Sequence, residues 1–144
     1  MKLETYFREN RGTGILSTAN KDGEVNSAVY ARPHIFEYDK VAFIMRDKLT
    51  HANLLENPRA NYLFIEDGLG FHGVRLYLKK IDEIQDDEKI ASLSRRTTGQ
   101  VDDAEKRFLV TFKVLKLLVL VGDEELSMEQ EENHTSAGLT GLRE

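Results

Sequence analysis

Residues 41–58 read VAFIMRDKLTHANLLENP, and within them a strand pattern gives way to a helix pattern. Hydrophobic residues dominate Val41 to Arg46, which indicates a strand. Leucine and alanine then recur at helical spacing, which predicts a helix from Thr50 to Glu56 that stops at Asn57-Pro58. Thr50 is the expected N-cap, because its hydroxyl can accept a hydrogen bond from a first-turn amide. A strand-to-helix turn with two basic residues therefore lies in the first half of the chain.

The turn has the chemistry of an anion site. The first amides of a helix have no partner inside the helix, and the helix dipole favours negative charge there. Arg46 and Lys48 stand just ahead of the helix, and Thr50 adds a hydroxyl. Together these groups suit a small phosphate monoester. The local pattern by itself favours a simpler interpretation, in which Thr50 caps its own helix and residues 46–48 form a solvated turn.

The rest of the sequence is mainly strand. Helical spacing predicts a short helix at the N-terminus, through Leu3, Tyr6 and Phe7, and another over residues 86–95. Asp22-Gly23 predicts a tight hairpin turn. Strand patterns cover residues 14–19, 24–32, 34–38, 41–46, 60–66, 71–84 and 108–121, with a bulge near Leu115 in the last. Because tight turns join most of them, we expect a mainly β fold, a six-stranded antiparallel barrel with short helices.

Composition limits the class of function. The chain has 144 residues, no cysteine and a formal net charge of −5. The length suits a single domain. The lack of cysteine excludes disulfides, thiolate catalysis and cysteine-ligated metal. The acidic charge argues against a broad nucleic-acid-binding face, because such a face must neutralise phosphates.

The sequence also predicts the domain boundary and the cellular location. We predict one domain over residues 1–122 and a polar tail or dimer arm over residues 123–144. The longest strongly apolar run, residues 117–121, is far too short to span a bilayer. No signal peptide is visible near the N-terminus. We therefore expect a cytoplasmic protein that binds neither nucleic acid nor membrane.

Three further patterns bear on possible sites. Asn26-Ser27-Ala28 interrupts a strand with small or polar side chains, which either contact a ligand lying on the sheet or simply face water. The glycine spacing of residues 68–73 matches a dinucleotide-binding loop, but a strand rather than a helix follows, so we reject that interpretation. The four histidines are not spaced as zinc ligands, and we predict no metal site.

Three segments, taken in order, carry a resemblance to a known family. They are GILSTANKDGEVNSAVYARP at residues 14–33, KVAFIMRDKLTHANLLENPRANYLFIE at residues 40–66, and GFHGVRLYLKKIDEI at residues 70–84. This order resembles the pyridoxamine 5′-phosphate oxidase-like family of FMN-binding split-barrel proteins. The resemblance covers roughly residues 5–121, and its most specific part runs from Arg46 to Pro58.

The resemblance implies a homodimer with FMN between its subunits. Cofactor-binding residues carried over by position are Asn26, Ser27 and Ala28 on the second strand, Ile44 and Met45 through backbone atoms, and Arg46, Lys48 and Thr50 around the phosphate. No catalytic residue is assigned, because the flavin carries the chemistry and the protein supplies position and electrostatics.

The resemblance also limits the activity. Residues 124–144 do not resemble the arginine-containing end of true pyridoxamine 5′-phosphate oxidases, so the chain is more similar to the shorter, functionally diverse members. We expect an FMN-dependent oxidoreductase of a small-molecule substrate. The alternatives are a flavin carrier or electron-transfer protein of the same fold, a relative that binds haem or a deazaflavin, and a lipocalin-like barrel without flavin.

Overall fold

The computed structural model describes residues 1–93 and 106–130. This part of the chain contains three helices and eight strands. In chain order they are α1 (Leu3–Glu9), β1 (Gly12–Ala19), β2 (Val25–Val29), β3 (His34–Glu37), β4 (Lys40–Arg46), α2 (Leu49–Glu56), β5 (Arg59–Glu66), β6 (Gly73–Ile84), α3 (Asp87–Leu93), β7 (Arg107–Val119) and β8 (Glu125–Leu126). Residues 94–95 of the third predicted helix and residues 131–144 of the predicted tail lie outside the described residues.

The described strands form one antiparallel sheet. Their order is β2-β1-β5-β6-β7-β4-β3. The short strand β8 also pairs with β7, whose other partners are β4 and β6. The expected antiparallel β fold is confirmed, although the described residues contain eight strands rather than six. Seven of them correspond to the predicted strand patterns, and the eighth, β8, has only two residues.

The sheet curls around a single core. Phe43 of β4 and Tyr62 of β5 place their ring centroids 4.9 Å apart. In the sheet order β6 and β7 separate these two strands, which would put them roughly 14 Å apart on a flat sheet. The contact therefore requires a sheet that is strongly curled into a barrel shape. Phe7 of α1 adds edge-to-face contacts with Tyr62 and Phe64 and covers one end of the core.

Two local predictions are confirmed. The β1–β2 connection turns at residues 20–24, where Gly23 adopts a φ of +84°, a conformation that glycine takes without steric cost. In β7 the expected bulge is present: Tyr77 of β6 pairs with Lys116, and the next residue, Leu78, pairs with Val114. Leu115 is thus the extra residue, and the inward-facing positions change parity there.

The sequence does not predict β8, whose residues fall in the predicted tail. Leu126 pairs with Leu117 of β7, and Glu129 donates its backbone N–H to the carbonyl of Met1 at 2.8 Å. Leu126 and Met128 pack against the main core. Residues 125–129 therefore pack against the barrel of their own chain and do not project from it.

Helix α2 is fixed to the barrel by a buried histidine. His51 is 4% exposed and stacks on Phe108 of β7, with ring centroids 3.9 Å apart. Its Nε2 lies 2.9 Å from a carboxylate oxygen of Glu83 at the end of β6. Its Nδ1 lies 3.3 Å from the carboxylate of Asp47, an ion-pair distance without the alignment of a hydrogen bond. One side chain thus connects the turn before α2 to β6.

Glu83 is the acidic partner of this arrangement. Burial alone would raise the pKa of Glu83, but hydrogen bonds with Lys80 and His51 outweigh that effect and hold the pKa below the ordinary glutamate value. A carboxyl whose pKa is lower in the folded protein stabilises the fold above its unfolded pKa. That stabilisation is lost as the pH falls through the folded pKa.

We expect Glu83→Gln to lower the free energy of unfolding by about 1–3 kcal/mol at pH 7, because a charge-assisted hydrogen bond is lost. The difference from the parent protein should be complete at neutral pH and shrink below about pH 4, as carboxyls protonate. Urea unfolding at a series of pH values measures it. Glu88→Gln, at an exposed position of α3, is the control, and a Glu83 effect that does not change with pH would contradict the assignment.

Candidate functional site

The barrel wall is interrupted where β3 meets β4. Their ladder ends at the pair His34–Ala42, because Pro33 precedes it and has no N–H to donate. From Phe43 to Arg46, β4 pairs only with β7 among the described residues. Tyr30, directly after β2, places its ring 5.8 Å from that of Phe43. We name the opening between this edge of β4 and the end of β2 the split.

Helix α2 starts beside the split, one residue earlier than predicted. It begins at Leu49, its N-cap position is Lys48, and no side chain caps it. The prediction that Thr50 is the N-cap is therefore wrong. Thr50 is instead a buried helical residue, 5% exposed, whose side chain is hydrogen bonded to that of Tyr30. Burial raises the pKa of Tyr30, and this hydrogen bond acts in the opposite direction.

The start of α2 can hold an anion. The N–H of Ala52 bonds to the carbonyl of Lys48, which leaves the three preceding helical amides without a partner inside the helix. Arg46 closes β4 immediately before the turn, and Arg107 of β7 lies directly opposite Arg46 in the ladder. Basic side chains and helix-start amides are the donors that bind phosphate in proteins.

The predicted segment 26–28 divides between two faces of β2. Asn26 pairs with Thr18, which is buried and accepts a hydrogen bond from Asn53 of α2 at 3.1 Å, so this face looks toward α2. Ser27 is on the opposite, exposed face, where its hydroxyl lies 2.9 Å from that of Ser17. Ala28 shares the face of Asn26 by strand alternation.

The two predicted β4 residues have their side chains occupied by packing. Met45 is 1% exposed inside the main core. Ile44 packs with Ala42, Ile90 and Leu109 in a second cluster beneath α3. Their side chains are therefore not available to a ligand at the split, and the resemblance implies contact through their backbone atoms.

The structure thus brings the three predicted segments of the site together. Helix α2 contacts both β2 and β4, so residues 26–28, 44–46 and 48–50 lie on neighbouring elements. Sequence reasoning missed Tyr30 and Arg107. Tyr30 stands at the end of the predicted second strand and gives a weak signal, whereas Arg107 reaches Arg46 only through the long-range β4–β7 pairing.

Residues 1–93 and 106–130 contain neither a candidate metal site nor a candidate membrane-spanning helix. No group of three or more histidine, cysteine, aspartate or glutamate side chains there could hold a metal ion. None of the helices in this part of the chain has the length and apolar character needed to cross a bilayer. The glycine-containing loop at residues 68–73 leads into β6, which agrees with the rejection of a dinucleotide-binding loop.

Comparison with known proteins gives matches in structure only. No protein-family model and no curated protein sequence matches the chain. An FMN-binding protein from Syntrophomonas wolfei superimposes with a TM-score of 0.69 at 22% identity, over 84% of this chain and 85% of that one. An F420 reductase gives a TM-score of 0.59 at 18% identity, over 78% and 93% of the two chains.

A third matching structure is described as a member of an enzyme family. A Clostridium acetobutylicum protein related to general stress protein 26 of B. subtilis, of the pyridoxinephosphate oxidase family, gives a TM-score of 0.59. It shares 13% identity with this chain, over 92% and 93% of the two chains. The resemblance predicted from the sequence is confirmed at the level of the fold. The chain has the split-barrel fold of the FMN-binding, pyridoxamine 5′-phosphate oxidase-like proteins.

Proposed function

We propose that the chain is a cytoplasmic flavoprotein that binds FMN at the split and acts as an oxidoreductase on a small-molecule substrate. The observation that carries this proposal is the start of α2, which no side chain caps, with Arg46 and Lys48 directly ahead of it and, beside it, the edge of β4 that pairs with no second strand among the described residues. An FMN-binding protein with the same fold supports the choice of cofactor.

The donor set fits the phosphate of FMN. A phosphate dianion needs cations and N–H donors together, and the turn into α2 supplies both although the chain as a whole is acidic. Arg46, Lys48 and the first amides of α2 would hold the phosphate. The free backbone edge at Ile44 and Met45 would lie along the ring, with Asn26, Ser27 and Ala28 beyond it. When bound, FMN supplies the redox chemistry, and these residues hold and orient it.

We further propose that a second copy of the chain completes the site. Val25 and Val29 stand on either side of Ser27 on the outer face of β2 and are 72% and 77% exposed. Val29 pairs with Ile15 of β1, which in turn pairs with Leu63 of β5, so the apolar character continues across the sheet. A partner seated here would cover this face beside Ser27.

We expect Arg46→Ala and Lys48→Ala each to weaken FMN binding about 10- to 150-fold. This is the loss of one charge-assisted contact, about 1.5–3 kcal/mol. Titration followed by flavin fluorescence measures it. Riboflavin, which lacks the phosphate, should bind more weakly than FMN to the parent protein and equally to all variants. Lys79→Ala, at an exposed position of β6, is the control; equal losses for riboflavin and FMN would refute the phosphate contact.

The activity can be tested with the FMN-loaded protein, NADH or NADPH as electron donor and oxygen as acceptor. An oxidoreductase should consume the nicotinamide faster than the same concentration of free FMN does. Absorbance of the reduced nicotinamide follows the reaction. A rate equal to that of free FMN with every donor tested would contradict the oxidoreductase and identify a flavin carrier.

We expect Val29→Asp to convert a dimer to a monomer and to weaken FMN binding, because it places a charge in the proposed contact face. Sedimentation analysis gives the mass in solution. Leu69→Asp, in a loop where Leu69 is 97% exposed, is the matched control and should leave the dimer intact. A parent protein that sediments as a monomer with FMN bound would overturn the dimer.

A further inference from the structure

A cleft of about 450 Å³ lies between α1, β3 and the end of α3. Its size is within the range of sites that hold small molecules. None of its lining residues belongs to the set of cofactor residues proposed above: the cleft is bounded by one face of α1, by residues 32–36, and by Ser92 and Leu93.

Arg32 is the basic group that best defines the chemistry of the cleft. The side chain is half-buried, and its Nη1 donates to two carbonyls at the end of α1, those of Phe7 at 2.6 Å and Asn10 at 3.0 Å. These bonds hold the guanidinium in place. Within the described residues no carboxylate forms an ion pair with it, and Nε and Nη2 donate to no acceptor.

Partial burial of a charge without a counter-ion costs free energy, and a bound anion would reduce that cost for the guanidinium. With Nη1 held by α1, the remaining Nε and Nη2 donors form one edge of the planar group. Two parallel N–H donors on one edge match the two oxygens of a carboxylate. The geometry is therefore that of a fixed, preorganised carboxylate receptor rather than a mobile surface arginine.

The charge around Arg32 favours a monoanion over a dianion. Arg8 also lines the cleft but is exposed, and its only described side-chain contact is with Thr5 at 3.5 Å. Glu4, one turn earlier on α1, lines the cleft too and offsets that charge. One fixed guanidinium balances one negative charge, which is the charge of a carboxylate.

His34 and Ser92 add polar groups to the lining, and the remaining lining residues are apolar. Phe7 and Pro33 are buried beneath the cleft, while Ile35 and Leu93 are partly buried at its sides. Phe36 is 42% exposed, with the ammonium of Lys89 5.4 Å from its ring centroid. A ligand that satisfies the arginine would place an apolar body against these side chains.

We propose that this cleft binds a small apolar carboxylate, an aryl- or alkyl-carboxylic acid whose carboxylate pairs with the Nε–Nη2 edge of Arg32. The site is independent of the proposed flavin site, since the two share no residue.

The test uses three probes of similar size: 3-phenylpropionate, its neutral amide 3-phenylpropanamide, and phenyl phosphate. Amide resonances of the ¹⁵N-labelled protein are followed during titration. We expect 3-phenylpropionate to shift the resonances of Ile35 and Phe36 and to bind at least tenfold more tightly than the amide. Equal affinity for carboxylate and amide would overturn the role of Arg32, and tenfold tighter phenyl phosphate would overturn the carboxylate assignment.

Two variants locate the site. Arg32→Lys keeps the positive charge but removes the two-donor edge, and we expect at least tenfold weaker binding of 3-phenylpropionate; Arg59→Lys, at an exposed position of β5, is its control. Because Arg32 also holds α1, a second variant avoids that contact. Phe36→Asp adds a repelling carboxylate to the wall and should abolish binding, whereas Phe71→Asp, in an exposed loop, should not.

The outcome is separable from that of the flavin proposal. FMN affinity should be unchanged in Arg32→Lys and Phe36→Asp. Shifts induced by 3-phenylpropionate that are confined to residues 43–50 would overturn the separate cleft. Retained binding in Phe36→Asp would do the same.

Discussion

Backbone polar groups must find hydrogen-bonding partners, and the split is where this barrel leaves some of them without one. Pro33 stops the β3–β4 ladder, which leaves the edge of β4 beyond Ala42 without a second partner strand among the described residues. The helix that follows β4 begins without a side-chain cap, so its first amides join the same opening. The location of the candidate site is therefore a consequence of incomplete pairing, and the basic residues at the turn determine which ligands suit it.

The features that depend on short-range sequence could be predicted, and those that depend on distant pairing could not. The hairpin at Gly23 and the bulge at Leu115 follow from local patterns, and both were found. Threonine is a common N-cap residue, but Thr50 is buried and hydrogen bonded to Tyr30, which follows β2. It therefore has a different role. Arg107 faces Arg46 across the β4–β7 ladder, a relationship that no local pattern encodes. The arginine of the cleft acquires its role only when α1 lies beside it.

The turn before α2 has two electrostatic tasks. Its basic residues are the proposed phosphate ligands, while Asp47 in the same turn lies beside the buried His51. Through His51 the turn is connected to Glu83 and the end of β6, so its position is set by the barrel and not by the loop alone. A preorganised site of this kind loses less entropy when a ligand binds, because its donors are already held in place.

The extra residue in β7 has a consequence for how the chain tolerates changes in length. Leu115 reverses the alternation of side chains, so that Val114 and Leu117 both reach the interior although three positions separate them. Removing Leu115 itself would restore regular alternation and keep Lys116 opposite Tyr77 and Val114 opposite Leu78. Removing any other single residue from the interior of β7 would turn every later side chain of the strand to the opposite side, and would also displace the partner residues on β8. The same deletion in the loop around Leu69 would leave the strand phases unchanged. The bulge is therefore the one position of β7 at which the strand can lose a residue and keep its alternation.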